Sequence, residues 1–441
     1  MFKERFETFL LLFIILQPVL DLFTALSIFA FKVDLTIGVF VRFIVMFLGV
    51  LYVFFIKDRE SKRKTIVYLL ILGVFFAISL ANNLLVKQPI SVFSEGKYIA
   101  KLVYMTVLFY SYLYVFKSFR SKEGWDKKVQ AYIFYSMMII GAVMIISSIT
   151  GTGIKSYESI KLGHQGWFFA GNELGAVMAI SFGVVVLYAI RKTTSFKTSY
   201  YWIPVLIMIY SLVALGTKVG YGAVLIILVI AFVMTLFELI KNRKQQGNRA
   251  DFVNLVISGV FILGFVLATP FTPVAFNTNL HLQWVGVDKE KIDNKTVGKD
   301  DISEEGFEDV MLSGRQEFLT SQKGYYEDAP IMQKLFGMGY GGNYEETPKM
   351  IEMDFYDLFY SFGMIGFGLF LLPFFLAAIK LFFAVLKDFR RQFNRENILI
   401  ASGIVLGLGT AYTAGHVFFA PAVSIYMVIL IAYLMIKLDA V

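Results

Sequence analysis

Cysteine is missing from all 441 residues, and histidine occurs only three times. The first absence excludes disulfides, thiolate metal sites and a cysteine nucleophile. The second leaves too few imidazoles for a histidine-rich metal centre, and no divalent-metal motif stands out elsewhere. A nucleotide loop is lacking too. The glycine cluster at 337–342 has no strand before it and no Gly-Lys-Ser/Thr after it, so it does not fit a phosphate-binding loop. No internal repeat is visible, which weighs against repeat-built transporter folds. What fills the chain is apolar: 57% of residues are hydrophobic, including 46 Phe and 24 Tyr, and the mean hydropathy is +0.68. Soluble domains run nearer 45–50% apolar.

The apolar residues come in blocks of about twenty, the length that crosses a bilayer core. Backbone groups in such blocks must satisfy one another, which means helix. The blocks predict about twelve spans, at 8–31, 34–56, 66–85, 98–116, 130–150, 172–190, 200–216, 220–240, 253–271, 355–380, 398–415 and 419–436. The first is too long, and lacks the small-residue cleavage site, for a cleaved signal peptide. It reads as a retained helix. The expected fold is therefore an all-α membrane protein, with helices one to nine in 1–271, a large loop at 272–354 and helices ten to twelve in 355–441.

The net charge of +8 raises a nucleic-acid reading, but the basic residues lie in short runs between apolar blocks. Lys57, Arg59, Lys62, Arg63 and Lys64 make one such run, and Lys387, Arg390, Arg391 and Arg395 another. If the N-terminus is cytoplasmic, the short inside loops follow the positive-inside rule with one consistent alternation. Both termini then face the cytoplasm, and 272–354 faces away from it. Within that loop, 286–309 is charged and low in aromatics, so mobility is expected. The stretch 310–353 has apolar spacing and glycines and looks folded. Long loops on a rigid scaffold often carry function.

Charges inside the spans need partners. Asp21 and Arg42 lie roughly 15 Å and 12 Å from the first outer hairpin at 1.5 Å per residue. At such similar depth on adjacent helices they are expected to form an ion pair, because isolated charges there cost several kcal/mol. Lys97 and Lys101, at i and i+4, share one helix face. They either snorkel to headgroups or hold a lipid-borne phosphate. Towards the outer side, His164 precedes Gly171-Asn172-Glu173 at a helix start. Asn172 suits a cap, whereas Glu173 at the edge of an apolar run does not follow from capping. Gly216-Thr217-Lys218 makes a tight turn that presents a cation. The large loop carries Ser313-Gly314-Arg315, then Gly337-Met338-Gly339-Tyr340-Gly341. Glu352, Asp354 and Asp357 follow at the mouth of the tenth span, ahead of Gly363-x-x-Gly366. Acids there suit the helix dipole. Three in six residues exceed what it needs, and carboxylates at a dry membrane edge can serve as bases.

In their order and spacing, the Gly171-Asn172 element, the Lys218 turn, Ser313-Gly314-Arg315 and the Gly337–Gly341 run with Gly363-x-x-Gly366 resemble the O-antigen ligase and polymerase family of membrane glycosyltransferases. The resemblance spans roughly residues 160–370 and implies a GT-C-like, extracytoplasmic, metal-independent transfer with no cofactor. An oligosaccharide on a polyprenyl (undecaprenyl-type) diphosphate would pass to a sugar hydroxyl. The acceptor would be another lipid-linked unit in a polymerase, the favoured reading, or a different glycan or glycolipid in a ligase. Arg315 and Lys218 would hold the leaving diphosphate. Asp354, Glu352 and Asp357, in that order, are candidate bases. Asn172, Glu173, His164 and Tyr340 would orient sugar hydroxyls. Many family members carry His-Asn eleven or so residues before Gly-x-x-Gly, where this chain has Glu352-Met353. His416 could supply the missing imidazole or simply pack at the interface. The expected setting is a bacterial cytoplasmic membrane, with other polysaccharide-assembly proteins as partners and no nucleic acid. A transporter or lipid-linked oligosaccharide flippase accounts for the helices and buried charges equally well, but poorly for motifs crowded on one face. A non-catalytic assembly partner is the third alternative.

Overall fold

A computed structural model of the chain describes residues 2–32, 36–158, 160–241, 248–287, 291–292, 303, 306, 310 and 312–439. The stretch 286–309, expected to be mobile, falls largely outside them. Sixteen α-helices follow in order: α1 (Phe2–Phe31), α2 (Ile37–Val53), α3 (Arg59–Val86), α4 (Val92–Phe119), α5 (Trp125–Ile149), α6 (Gly171–Lys192), α7 (Ile203–Ala214), α8 (Lys218–Lys241), α9 (Asn248–Ala268), α10 (Pro273–Trp284), α11 (Arg315–Asp328), α12 (Ile331–Phe336), α13 (Asp354–Lys387), α14 (Phe389–Gln392), α15 (Arg395–Thr413) and α16 (Pro421–Lys437). No strand occurs among the described residues, only an isolated bridge between Lys155 and His164. The chain is an all-α polytopic membrane protein.

Each of the twelve apolar blocks falls on a helix. Nine helices among the described residues are long and apolar enough to cross a membrane, while Ile37–Val53 and Pro421–Lys437 are apolar but shorter. Helix α15, which contains Gly403, Gly407 and Gly409, belongs to neither group. Helix ends sit where polar caps are available. The side chains of Asp58, Ser91 and Asn394 accept amide hydrogens at the starts of α3, α4 and α15, and satisfy donors that the first turn leaves unpaired.

Burial separates the centre of the bundle from its rim. Every residue from Ala422 to Ile436 of α16 is buried, as is nearly all of α6, the pattern of helices apolar all round. Helix α16 packs on α4, and α6 on α15. The α6–α15 crossing is close because Gly183 lies against the Leu399 carbonyl and Gly403 against the Ile180 carbonyl, leaving no room for a Cβ at either. Small residues allow such backbone approach inside a membrane. Helix α2, by contrast, turns Phe40, Phe43 and Phe47 outward, each more than half exposed, and buries Arg42, Val45 and Gly49.

Arg42 donates to Asp21 at 2.6 Å and to the Gln17 amide oxygen at 3.0 and 3.2 Å. The charge pair thus joins α1 and α2, with a glutamine that depth alone did not point to. At one end of the bundle, ion pairs join Arg395 to Glu238 and Asp251, and Arg191 and Lys437 to Glu396. At the other, the loops 150–170, 214–217, 337–353 and 414–420 meet.

A second charged node fastens the glycine-rich segment. Lys87 is buried and donates to Glu95 at 2.9 Å and to the Met338 and Tyr340 carbonyls at 3.3 and 2.6 Å. Glu95 accepts the Tyr340 amide at 2.8 Å. Gly337 (φ 91°) lies against the backbone of Ser361 and Phe362, and Gly363 (φ 64°) breaks the helical path of α13 against Leu335. The glycines of both motifs therefore let one backbone pack on another. Lys87→Met should cost about 3–5 kcal/mol, because Glu95 would remain buried and unpaired, whereas Lys87→Met with Glu95→Gln should cost less. Thermal unfolding of the purified variants in detergent checks both. Equal losses would mean that the pair is not coupled.

Candidate active site

Four residues from four segments meet where the loops converge. Arg315, the first residue of α11, donates to the Glu352 carboxylate at 3.3 Å. That same Glu352 oxygen lies 3.6 Å from the His416 Nε2, and His416 Nε2 lies 3.4 Å from the Asn172 amide nitrogen. A guanidinium, a carboxylate, an imidazole and an amide thus form a continuous chain. Each is at least partly open to solvent.

The backbone is strained at this point. Ser313, Glu352 and His416 have φ of 58°, 61° and 61°, a conformation that only Lys32 and Asp439 share among the described non-glycine residues. Such conformations cost of order 1–3 kcal/mol each and gather at functional sites. Neighbouring glycines make them possible. Gly314 (φ 80°) precedes Arg315. Gly415 ends α15 as a left-handed cap, its amide bonded to the Thr410 carbonyl. A Cβ on Gly415 would come within 2.6 Å of the Glu352 carbonyl oxygen. The Gly415–His416 pair carries a signal in the sequence: a glycine beside a lone polar residue marks a turn.

The three acids at the start of α13 divide their work. Asp354 is buried and accepts the Val417 and Phe418 amides at 2.7 and 2.8 Å, so it holds the turn that carries His416. Asp357 reaches back to the Ile351 and Met353 amides at 2.9 and 3.1 Å, which fixes the segment that carries Glu352. Only Glu352 turns towards Arg315 and His416.

Glu352 and His416 shift each other. The His416 imidazole, 3.6 Å away, leads in lowering the Glu352 carboxyl below its ordinary value; burial pulls the other way, and Arg315 adds to the lowering. For His416, burial pulls the imidazole down, but the adjacent Glu352 carboxylate, with the charges of Glu173 and Asp354, outweighs it and raises the pKa. A carboxylate beside an imidazole makes it a stronger proton acceptor.

The two candidate phosphate cations reach one short stretch of the loop. Lys218 donates to the Val310 carbonyl, and Arg315 to the Leu312 carbonyl at 3.1 Å. The Arg315 Nε is buried without a hydrogen-bond partner among the described residues, a donor left open beside the cluster.

Other sequence candidates sit elsewhere. His164 lies 3.5 Å from the Tyr210 hydroxyl, beside an apolar cavity between α7 and α9, and burial lowers its pKa. Tyr340 belongs to the Lys87–Glu95 node and its ring rests on Tyr98, 5.3 Å away. Lys97, Lys101 and Glu173 line a separate cavity with Asp21 and Arg42. Among the described residues no group of three or more His, Asp or Glu is arranged to hold a metal.

Compared with known proteins, the chain matches the family described as O-antigen ligase like membrane protein over residues 3–441. No curated protein matches it.

Proposed function

The chain belongs to the O-antigen ligase family of membrane proteins, and on that premise we propose that it transfers an oligosaccharide from a polyprenyl diphosphate to a sugar hydroxyl at the Arg315–Glu352–His416 cluster. The observation that carries this is the strained, continuous chain of Arg315, Glu352, His416 and Asn172, with a guanidinium donor unpaired among the described residues at one end and an imidazole beside the amide at the other.

In this reading Arg315 and Lys218 bind the donor's diphosphate, the guanidinium through its planar fork and the ammonium as a point charge. Neutral His416 takes the proton of the acceptor hydroxyl, and Glu352 stabilises the imidazolium that results. The hydroxyl oxygen forms the new bond to the anomeric carbon as the bond to the diphosphate oxygen breaks. The lipid diphosphate departs with the electron pair, against fixed positive charge that needs no reorganisation. The proton on His416 then passes to solvent. Asn172 orients the imidazole or a sugar hydroxyl. A single displacement inverts the anomeric centre. Asp354 and Asp357, bound to backbone amides, position His416 and Glu352 and act as positioning residues. The Lys and Arg distribution supports a cluster that faces away from the cytoplasm. Of the two activities open to it, glycan polymerisation is the favoured one.

The test uses purified full-length protein in proteoliposomes with a radiolabelled polyprenyl-diphosphate oligosaccharide. Formation of longer or transferred glycan, with release of lipid diphosphate, is expected. Movement of label across the bilayer without a new glycosidic bond would favour a transporter and overturn the proposal.

A further inference from the structure

Three side chains that the transfer step does not use, Tyr157, Lys161 and Asn277, gather behind Lys218. The loop between α5 and α6 folds back on itself: the Ile154 amide donates to the Gly166 carbonyl at 2.7 Å, and the Ser156 amide to the Gly163 carbonyl at 3.1 Å. The folded loop then lies backbone to backbone on the turn between α7 and α8. The His164 amide donates to the Ala214 carbonyl at 2.9 Å. Gly163 against the Leu215 carbonyl, and Gly216 against the Leu162 carbonyl, leave no room for a Cβ.

Gly216 (φ 73°) turns the chain two residues before Lys218 opens α8. Its carbonyl takes two side-chain donors from two segments, the Tyr157 hydroxyl at 3.3 Å and the Asn277 amide nitrogen at 3.0 Å. Asn277 is buried on α10. It also donates to the Leu162 carbonyl and accepts the Leu162 amide, both at 2.7 Å. One amide group thus ties the loop, the Lys218 turn and α10 together.

Tyr157 also meets the other cation of the site. Burial pushes its phenol up while the Arg315 charge pulls it down, so the guanidinium stands near it. The Lys161 ammonium lies 5.6 Å from the Tyr157 ring centre and 5.0 Å from that of Trp284, contacts that hold a ring in place. The phenol therefore stands between Arg315 and the turn that carries Lys218. We infer that Tyr157 and Asn277 are positioning residues, which lock the Gly216 carbonyl and so fix the spacing between Lys218 and Arg315. The inference rests on the reading of those two as the diphosphate-binding cations. Cations held at one spacing grip both phosphates together, because the second contact forms at high effective concentration. A monophosphate gains little from the second cation. Loosening the turn therefore removes the preference for a diphosphate and leaves anion binding in general.

Native mass spectrometry of the purified full-length protein, with farnesyl diphosphate and farnesyl monophosphate as probes, measures that preference. Tyr157→Phe keeps the ring beneath Lys161 and removes the hydroxyl. Asn277→Asp keeps the shape and the acceptor for the Leu162 amide, and removes both donors. Each variant should lower the diphosphate-to-monophosphate affinity ratio about fivefold, the worth of one hydrogen bond. In turnover each should raise the KM for the donor and change kcat far less. Tyr326→Phe, which loses a similar bond to the Lys334 carbonyl away from the site, should leave the ratio as it is. Parallel weakening of both probes, or an unchanged ratio in Tyr157→Phe and Asn277→Asp while Arg315→Ala abolishes the preference, overturns the inference alone. Should Asn277→Asp fail to fold, Tyr157→Phe decides. A ratio that falls as expected in a protein that transfers no glycan sinks the proposed function alone. A parent with no preference for the diphosphate overturns both.

Discussion

Arg315→Ala is expected to slow glycan transfer by about 10²–10³-fold, the usual cost of removing one preorganised donor from developing negative charge. Arg315 serves three directions at once. One terminal nitrogen holds the Leu312 carbonyl, the other holds Glu352, and Nε is buried without a partner among the described residues. The first two bonds fix the plane of the guanidinium, and Nε adds a donor with no partner among the described residues. Arg315→Lys should recover little of the loss, because an ammonium on a flexible stem cannot reproduce that fork. Initial rates with a polyprenyl-diphosphate oligosaccharide in proteoliposomes, alongside thermal unfolding, measure both variants. If Arg315→Ala kept its rate within threefold of the parent, the diphosphate would have to be bound elsewhere.

His416→Asn should remove about 10²–10⁴-fold of the rate, the range for loss of a general base, while the protein melts as the parent does. Asparagine is chosen because it tolerates the positive φ that His416 holds. Loss of activity would then report chemistry and not a refolded turn. The pH profile adds a signature. As a base, His416 works when neutral, so the rate should rise with pH through a midpoint above 6.5, the ordinary imidazole value, since its pKa is raised. Glu352→Gln removes the main raising influence and should move that midpoint to lower pH. A midpoint that stayed put would deny Glu352 its role.

The same shifts act on stability, with opposite signs. The raised pKa of His416 contributes stability that is complete below the imidazole's unfolded value and is lost as pH climbs through the folded one. The lowered pKa of Glu352 contributes above its unfolded value and is lost as pH falls through the folded one. The contact between them is strongest in the window between, where Glu352 is charged and His416 is protonated. The proposed catalysis by neutral His416 would therefore gain on the alkaline side of the pH at which the site is most firmly held.

Much of the site was legible as residue type and place. Arg315, Lys218, Asn172, His416 and the acids at 352–357 could all be found as polar interruptions near apolar blocks. Asp21 and Arg42 could be matched by their depth, because a charge in hydrocarbon needs a partner and few were on offer. The division of labour among the acids was not legible. Asp354 and Asp357 have the same local signature as Glu352, and only the approach of the 417–418 amides and the turn at 351–353 separates backbone anchors from the exposed carboxylate. The Lys87–Glu95 node was invisible for the same reason, as its other partners are carbonyls some 250 positions away.

The sequence by itself determined that this chain is a bundle of membrane helices, which stretches they occupy, and which family it resembles. Each span closes its own backbone hydrogen bonds and must match the bilayer thickness, so local apolar content is enough. The tertiary structure alone decided which loop residues touch. Helix packing brings 172, 315, 352 and 416 to one point, and left-handed turns at Gly314 and Gly415 aim them. Contacts between loops depend on how rigid helices cross, which no local pattern encodes.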